Sequence, residues 1–149
     1  MVLKAEAVYT HDKLLGTLDP LDADGLVEQD ILDYIVGLEW SFPQETRVNV
    51  QFFQRWHPDH DTGIVPDETE SGVSLLLSTQ ALHPKLEPEL LLGSSLNRSD
   101  WSAQFKLSWK FDGNWRLAAG VDVFEGPDDG LFGVYDDKDR VYTEVRYSF

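Results

Sequence analysis

Apolar and polar residues alternate with a period of two along most of this chain, and this alternation limits the fold more than any other feature of the sequence. It is clearest near residue 105, where Phe105, Leu107 and Trp109 share one parity. Gln104 and Lys106 share the other parity. Side chains of a β-strand point alternately to opposite faces, so the pattern predicts strands with one apolar and one polar face.

Eight segments carry the pattern, and each has about the 9–11 residues that a tilted strand needs to cross a bilayer. We predict strands over residues 2–10, 31–42, 47–56, 72–83, 86–97, 101–111, 115–124 and 140–149. Short turns follow the second, fourth and sixth strands, and longer links follow most of the others, as in barrels with one periplasmic and one external end. The predicted fold is all-β: a single domain over residues 1–149, forming an eight-stranded antiparallel up-and-down transmembrane barrel of the outer-membrane type.

The aromatic residues of the apolar parity stand near strand ends, with aliphatic residues between them. This order matches a lipid-facing band between two aromatic girdles. The predicted girdle residues are Trp40, Phe42, Trp101, Trp109, Phe111 and Trp115.

The polar parity carries acids and bases in equal number. We predict ion pairs in a side-chain-filled lumen among Lys4, Glu6, Asp33, Glu39, Arg47, Arg55, Glu87, Glu89, Lys106, Lys110, Arg116, Asp122, Glu144 and Arg146. Charges in a narrow lumen need partners, so a balanced set indicates a plugged interior. A pore or transporter for small or lipophilic solutes is the alternative, and a wide pore could show one dominant sign.

Composition excludes several other classes. The net charge of −15 argues against nucleic acid as a partner, and the absence of cysteine excludes disulfides and thiolate metal sites. No apolar run is long enough for a transmembrane helix. No signal peptide precedes the first strand, so we expect a mature form, a fragment or an engineered form of a protein located in the bacterial outer membrane.

The last strand ends in a terminal aromatic residue, with Val145, Tyr147 and Phe149 on one face. It resembles the C-terminal strand that the outer-membrane barrel assembly machinery recognises, an interaction of the β-augmentation type. We expect its partners to be the assembly machinery, outer-membrane lipid and lipopolysaccharide. We also expect the protein to be a monomer.

Several motifs carry a wider resemblance: residues 96–101 (LNRSDW), 109–117 (WKFDGNWRL) and 126–133 (GPDDGLFG), with 5–10 (AEAVYT) and 37–42 (GLEWSF). They resemble the C-terminal region of a family of large, poorly characterised proteobacterial outer-membrane barrels. Family members are much longer than this chain, which would correspond to their last eight strands or to a small relative. The resemblance implies no catalytic residues.

Acidic residues concentrate in the segments predicted as long loops. Ca²⁺ or Mg²⁺ could bridge such carboxylates to lipopolysaccharide phosphates, and Asp22 and Asp24 form a fragment of a calcium loop that lacks the later glutamate. A solvated acidic surface is the simpler interpretation, and we expect no cofactor beyond such ions.

His57, His60 and Asp61 form the cluster best suited to chemistry. Two imidazoles and a carboxylate can bind Zn²⁺ or activate water, so a hydrolase at the barrel rim is a further alternative. No nucleophile motif accompanies the cluster, and we predict a non-enzymatic protein. A soluble ligand-binding barrel is the last alternative, but it would need an apolar interior.

Overall fold

A computed structural model describes residues 1–18, 24–61, 63–64 and 66–149. Eight strands make up most of this part of the chain. They are β1 (Val2–Gly16), β2 (Leu26–Phe42), β3 (Thr46–Trp56), β4 (Thr69–Ser78), β5 (Leu86–Ser95), β6 (Trp101–Lys110), β7 (Trp115–Glu125) and β8 (Arg140–Tyr147). A 3₁₀ turn (Gly133–Lys138) lies between β7 and β8. Among the described residues, no helix combines the length and the apolar character that a membrane span requires.

Every strand pairs antiparallel with its neighbours in the chain, which gives one sheet in the order β1-β2-β3-β4-β5-β6-β7-β8. The predicted all-β, eight-stranded, up-and-down architecture is therefore confirmed. Within the described residues, β1 and β8 are the two edges of the sheet and do not pair with each other. The sheet is open, so the structure does not contain the closed barrel that the sequence predicts.

The connections divide the sheet into two ends. At the turn end lie residues 43–45, 79–85 and 111–114, together with both chain termini. At the loop end lie residues 96–100 and 126–139, together with the described residues of the links 17–25 and 57–68. The turn over residues 43–45 is tight because Gln44 and Glu45 both have positive φ, which makes the chain reverse within three residues.

The observed bounds of three strands differ clearly from the predicted ones. β1 and β2 continue past the predicted ends at residues 10 and 31, forming a hairpin extension (residues 10–16 and 26–31) that rises beyond the last β2–β3 pair, Leu32 with Trp56. A β-bulge opposite Asp30 interrupts the apolar–polar alternation there, so the pattern did not indicate a strand. β4 begins at Thr69 and ends at Ser78 instead of spanning 72–83, because residues 79–85 turn back toward β5.

Candidate functional site

The two faces of the sheet differ sharply in chemistry and in exposure. Directly paired residues of neighbouring strands share a face, so the register assigns each side chain to one face or the other. We name the apolar face after its members on β6, which are Trp101, Ala103, Phe105, Leu107 and Trp109. We name the polar face after the β6 residues that point the opposite way, which are Ser102, Gln104, Lys106, Ser108 and Lys110.

The apolar face is the exposed one. Trp109 and Leu107 are 46% and 38% exposed, whereas their neighbour Ser108 on the polar face is only 6% exposed. On β7 the same contrast holds, because Leu117 is exposed and Ala118 is buried. In a water-soluble sheet with one buried face, the apolar side chains are the covered ones. This sheet has the reverse arrangement.

Curvature accounts for the burial of the polar face. No second sheet or long helix covers this face within the described residues, and the β7–β8 connection reaches it only near the loop end, so we infer that the sheet curls around the rest. Small residues permit the curl: a Cβ at Gly72 would lie 2.2 Å from the ring of Phe53, and one at Gly120 would lie 2.4 Å from the ring of Tyr142. Each ring occupies the space that a side chain at the glycine would need.

Aromatic rings form a continuous chain on the apolar face at the turn end. Ring centroids are 5.4 Å apart for Trp109 and Phe111, 6.3 Å for Phe111 and Trp115, and 4.8 Å for Trp115 and Tyr147. Tyr147 continues the chain to Phe149 at 6.4 Å. The C-terminal residues of the predicted assembly signal thus belong to the same aromatic band as the predicted girdle residues of β6 and β7, and Val145 lies beside Leu117 on this face.

A second set of aromatic residues marks the loop end of the apolar face. Trp101 begins β6, and Trp56 ends β3. Trp101 lies eight residues from Trp109 along β6, and Trp56 lies opposite Leu32, eight residues from Trp40 along β2. Eight residues of strand span about 26 Å. A strand tilt of about 40° reduces this to about 20 Å of height, close to the apolar band of membrane barrels.

All fourteen charged residues predicted for the lumen lie on the polar face in the observed register. Lys4 Nζ is 2.7 Å from Glu39 Oε2, and Arg55 Nε is 2.7 Å from Asp33 Oδ1. Both pairs join neighbouring strands. These charges are therefore compensated by each other rather than by solvent alone.

Two carboxylates collect several bases on this face. Glu87 lies 3.6 Å from Arg47, 4.0 Å from Lys110 and 3.5 Å from Arg116, measured between charged atoms. These contacts link β3, β5, β6 and β7. Glu144 similarly lies 3.8 Å from Lys106 and 2.8 Å from Arg146.

Sequence reasoning missed the ion-pair partner of Asp122. Arg140 Nε is 2.5 Å from Oδ2 of Asp122, whose side chain is almost fully buried. Arg140 has the same parity as Glu144 and Arg146 in β8, so the alternation itself was a sufficient signal. Glu6 and Glu89, by contrast, form no ion pair among the described residues.

A second feature that sequence reasoning missed is an ion-pair cluster at the loop end, centred on Arg98. Its side chain is only 14% exposed and contacts Glu70 at 2.9 Å, Asp129 at 3.3 Å and Asp67 at 3.4 Å. The hydrogen bond to Glu70 is the main cause of the raised pKa of Arg98. Asp67 and Glu70 lie at or just before the start of β4, and Asp129 lies in the β7–β8 connection, so Arg98 joins these two segments to the β5–β6 link. Nothing in the local sequence indicates this convergence.

Asp100 fixes the β7–β8 connection against the β5–β6 link. Its buried carboxylate accepts a hydrogen bond from the Phe132 backbone N–H at 2.6 Å through Oδ2, while Oδ1 has no partner within the described residues. Gly126, with φ of 150°, approaches so closely that a Cβ there would lie 2.2 Å from Asp100 Cβ. The ring of Phe132 lies over Gly93 of β5, so this connection folds inward onto the polar face.

The histidine cluster of the β3–β4 loop does not assemble as a site. His57 is 1% exposed, and neither ring nitrogen has a partner in the described part of the chain. Burial lowers the pKa of His57, with the nearby His60 adding to the effect. His60 Nε2 lies 2.9 Å from the Pro66 carbonyl oxygen, and Asp61 Oδ1 accepts a hydrogen bond from the Gly63 N–H at 2.7 Å. His60 and Asp61 therefore have separate backbone partners, and the three residues do not form a group of converging ligand atoms in the described part of the chain.

A different set of potential metal ligands meets at the β-bulge. Among the described residues, only His11, Asp12 and Asp30 bring three ligand atoms within 4.8 Å of one another. His11 Nδ1 is 2.7 Å from Asp30 Oδ1, which also accepts the Asp12 N–H at 3.1 Å, and Tyr9 donates its hydroxyl to Asp30 Oδ2. These contacts lower the pKa of Asp30 to about 2, chiefly through the hydrogen bonds. The group is exposed and internally hydrogen-bonded.

Of the predicted calcium-loop fragment, Asp22 lies outside the described residues. Asp24 Oδ1 accepts a hydrogen bond from the Leu26 N–H at 3.2 Å, so this carboxylate caps the start of β2.

Comparison with known proteins identifies no family for this chain. The chain matches no family model, no curated protein and no solved structure. The resemblance to large outer-membrane barrels therefore stays a prediction.

Proposed function

We propose that this chain is a non-enzymatic outer-membrane β-barrel whose apolar face contacts lipid and whose polar face fills the interior with paired charges. The observation that carries the proposal is the reversed burial of the sheet, in which Leu107 and Trp109 are exposed while Ser108 is buried. In water, an apolar surface that continues across all eight strands would be unfavourable and prone to aggregation. In hydrocarbon the same surface needs no further cover.

The aromatic residues at both ends of the apolar face support this orientation. Indole and phenol rings favour the boundary between headgroups and acyl chains. The aromatic chain from Trp109 to Phe149 would then lie at the periplasmic boundary, and Trp56 and Trp101 at the external one. The hairpin extension and the acidic links of the loop end would lie outside the membrane, where divalent cations and lipopolysaccharide are the expected contacts.

Closure of the barrel follows from the two free edges. Unpaired backbone N–H and C=O groups in hydrocarbon cost several kcal/mol each, which is why membrane sheets close. β1 and β8 run antiparallel to each other in an eight-stranded meander, so they can pair directly. We propose that they do so in lipid, in a monomer.

Lipid contact can be tested with a matched pair of single-cysteine variants, because the natural chain has no cysteine. Leu107→Cys and Lys106→Cys place a bimane label on adjacent residues of opposite faces. After refolding into phosphatidylcholine vesicles that contain doxyl-labelled lipid, we expect strong quenching at residue 107 and weak quenching at residue 106. Equal quenching, or a chain that stays monomeric in the aqueous supernatant, contradicts the proposal.

Closure is tested by disulfide formation between the apolar-face positions of the two edges. Ala5→Cys is combined in turn with Val141→Cys, Thr143→Cys and Val145→Cys, since the closing register is not fixed by the open sheet. One pair should crosslink within a single chain in vesicles and not in urea. Crosslinks only between two chains would instead show that a second copy supplies the missing neighbour.

A further inference from the structure

A cavity of about 510 Å³ opens on the polar face near the loop end. Residues of β1 to β5 and Arg98 line it, together with the segment from Asp129 to Leu131 of the β7–β8 connection. The volume lies within the range of small-molecule sites. The inward-folded connection, held by Asp100 and Arg98, forms the cover of this cavity.

The floor of the cavity is apolar, although it belongs to the face that carries most of the charged residues of the sheet. Ile35 and Phe53 are directly paired on β2 and β3, and Val8 lies one row further toward the loop end on β1. Leu131 faces them from the connection and is half exposed. An apolar floor inside a charged interior is suited to the uncharged body of a ligand.

The charged groups around this floor leave an excess of carboxylate. Two arginines line the cavity, and both are already paired: Arg55 with Asp33 at 2.7 Å, and Arg98 with Glu70 at 2.9 Å and with Asp129 at 3.3 Å. Glu6 also lines the cavity, directly opposite Ile35 in the register.

Glu6 is thus the carboxylate at this site that has no ion pair within the described part of the chain. With four carboxylates against two guanidinium groups, the local field attracts a cation and repels an anion.

We propose that the cavity binds a small organic cation with an apolar body. The ammonium group lies against Glu6, and the apolar body covers Val8, Ile35 and Phe53. This inference goes beyond the membrane proposal: it needs the polar face to be the inside of the curled sheet, but it does not need the apolar face to contact lipid.

The test is a calorimetric titration of the refolded chain with benzyltrimethylammonium, compared with benzyl alcohol and benzenesulfonate as neutral and anionic ligands of similar size. It is run in dodecyl maltoside micelles, or in buffer if the chain is monomeric without detergent. The membrane proposal and this inference can therefore fail separately. We expect binding of the cation to exceed that of the other two, and comparable binding of all three overturns the inference.

Glu6→Gln should weaken cation binding about fivefold, the effect of losing one partly exposed charge contact. Glu89→Gln is the matched control, since Glu89 is the other polar-face carboxylate without an ion pair among the described residues and lies away from this cavity, beside Lys106. Equal weakening by the two variants overturns the inference. A Glu6→Gln variant that retains its affinity for the cation also overturns the inference. This holds even if the variant changes heat-modifiable gel migration, which would indicate that Glu6 contributes to the pairing of β1 with β8 instead.

Leu131→Trp gives a second test that does not depend on charge. Leu131 is half exposed in a connection, so a larger side chain there should leave circular dichroism unchanged while filling the cavity. We expect no measurable binding of the cation to this variant. Undiminished binding places the ligand elsewhere and overturns the inference.

Discussion

On β7, residues one position apart serve two different environments. Leu117, Ala119 and Val121 point to the apolar face and are exposed, whereas Ala118 and Asp122 point to the polar face and are buried. The exposed side chains meet few protein atoms, so their identity is set by the surrounding medium. The identity of the buried side chains is set by the space around them and by the partners available for hydrogen bonds and ion pairs. Hydrophobicity and burial, which usually rise together, are separated in this sheet.

The difference between the faces predicts different sensitivities to mutation. On the apolar face, polarity should matter and size should not. On the polar face, size and charge pairing should matter. Four predictions test this contrast, beginning with the largest effect.

A charge in the middle of the apolar face should be the most damaging single change. Leu107→Arg places a guanidinium near the centre of the lipid-facing band, which costs about 2–4 kcal/mol in membrane barrels. The free energy of unfolding by urea in phosphatidylcholine vesicles should fall by that amount. Leu107→Val is the apolar control and should change it little, and an arginine variant as stable as the valine variant would contradict a lipid-facing surface.

A single methyl group should be costly on the polar face. A Cβ at Gly120 would lie 2.4–2.7 Å from ring atoms of Tyr142, so Gly120→Ala forces the ring to move and should lower the free energy of unfolding by about 1–3 kcal/mol. Ala119→Val adds more volume one residue away, but on the exposed face, and should be nearly neutral. Similar losses from both variants would show that the two faces are packed alike.

Removal of a buried charge should have a smaller effect. Asp122→Asn leaves Arg140 without its ion pair, but the Arg140 side chain is 67% exposed and can be hydrated. We therefore expect a loss of only about 1 kcal/mol in the free energy of unfolding. Asp112→Asn in the β6–β7 turn is the control and should be neutral, since Asp112 forms no ion pair among the described residues. A greater loss in the control would argue against the Asp122–Arg140 pair.

The hairpin extension lies beyond the two faces, and we expect it to show the pH dependence of an exposed surface. The hydrogen bond to Asp30, followed by the charge of Asp12, raises the pKa of His11. A raised pKa means that this contribution to stability is present at acid pH and is lost as pH rises through the folded-state value. The pKa of Asp30 is about 2 instead of 3.8, so its contribution is lost only as pH falls toward 2.

Titration of the His11 ring by NMR measures this coupling. Asp30→Asn should lower the pKa of His11 further than Asp12→Asn does, because only Asp30 supplies the main hydrogen bond. If Asp12→Asn lowers the pKa of His11 more than Asp30→Asn does, the hydrogen bond at the β-bulge is not the main cause of the raised pKa.

The sequence predicts the sheet well because alternation is a local property. Once Leu107 and Lys106 are assigned to opposite faces, antiparallel pairing with β5 and β7 carries the assignment across the sheet. The loop end is different. Arg98 meets Glu70 and Asp129 only because three distant connections converge, and no periodic pattern encodes such a contact. The hairpin extension escaped prediction for a related reason, since a single bulge shifts the parity of every later residue.

The order of the strands bears on how the sheet is made. Each of β2 to β7 has both of its partners directly before and after it in the chain, so every ladder is a hairpin that closes over a short stretch of sequence. Such a sheet can form by the addition of one hairpin at a time, and each stage leaves a free edge with which the next strand can pair. The segment from Asp129 to Leu131, which covers the cavity on the polar face, is followed only by β8, so in chain order the cover comes directly before the last strand.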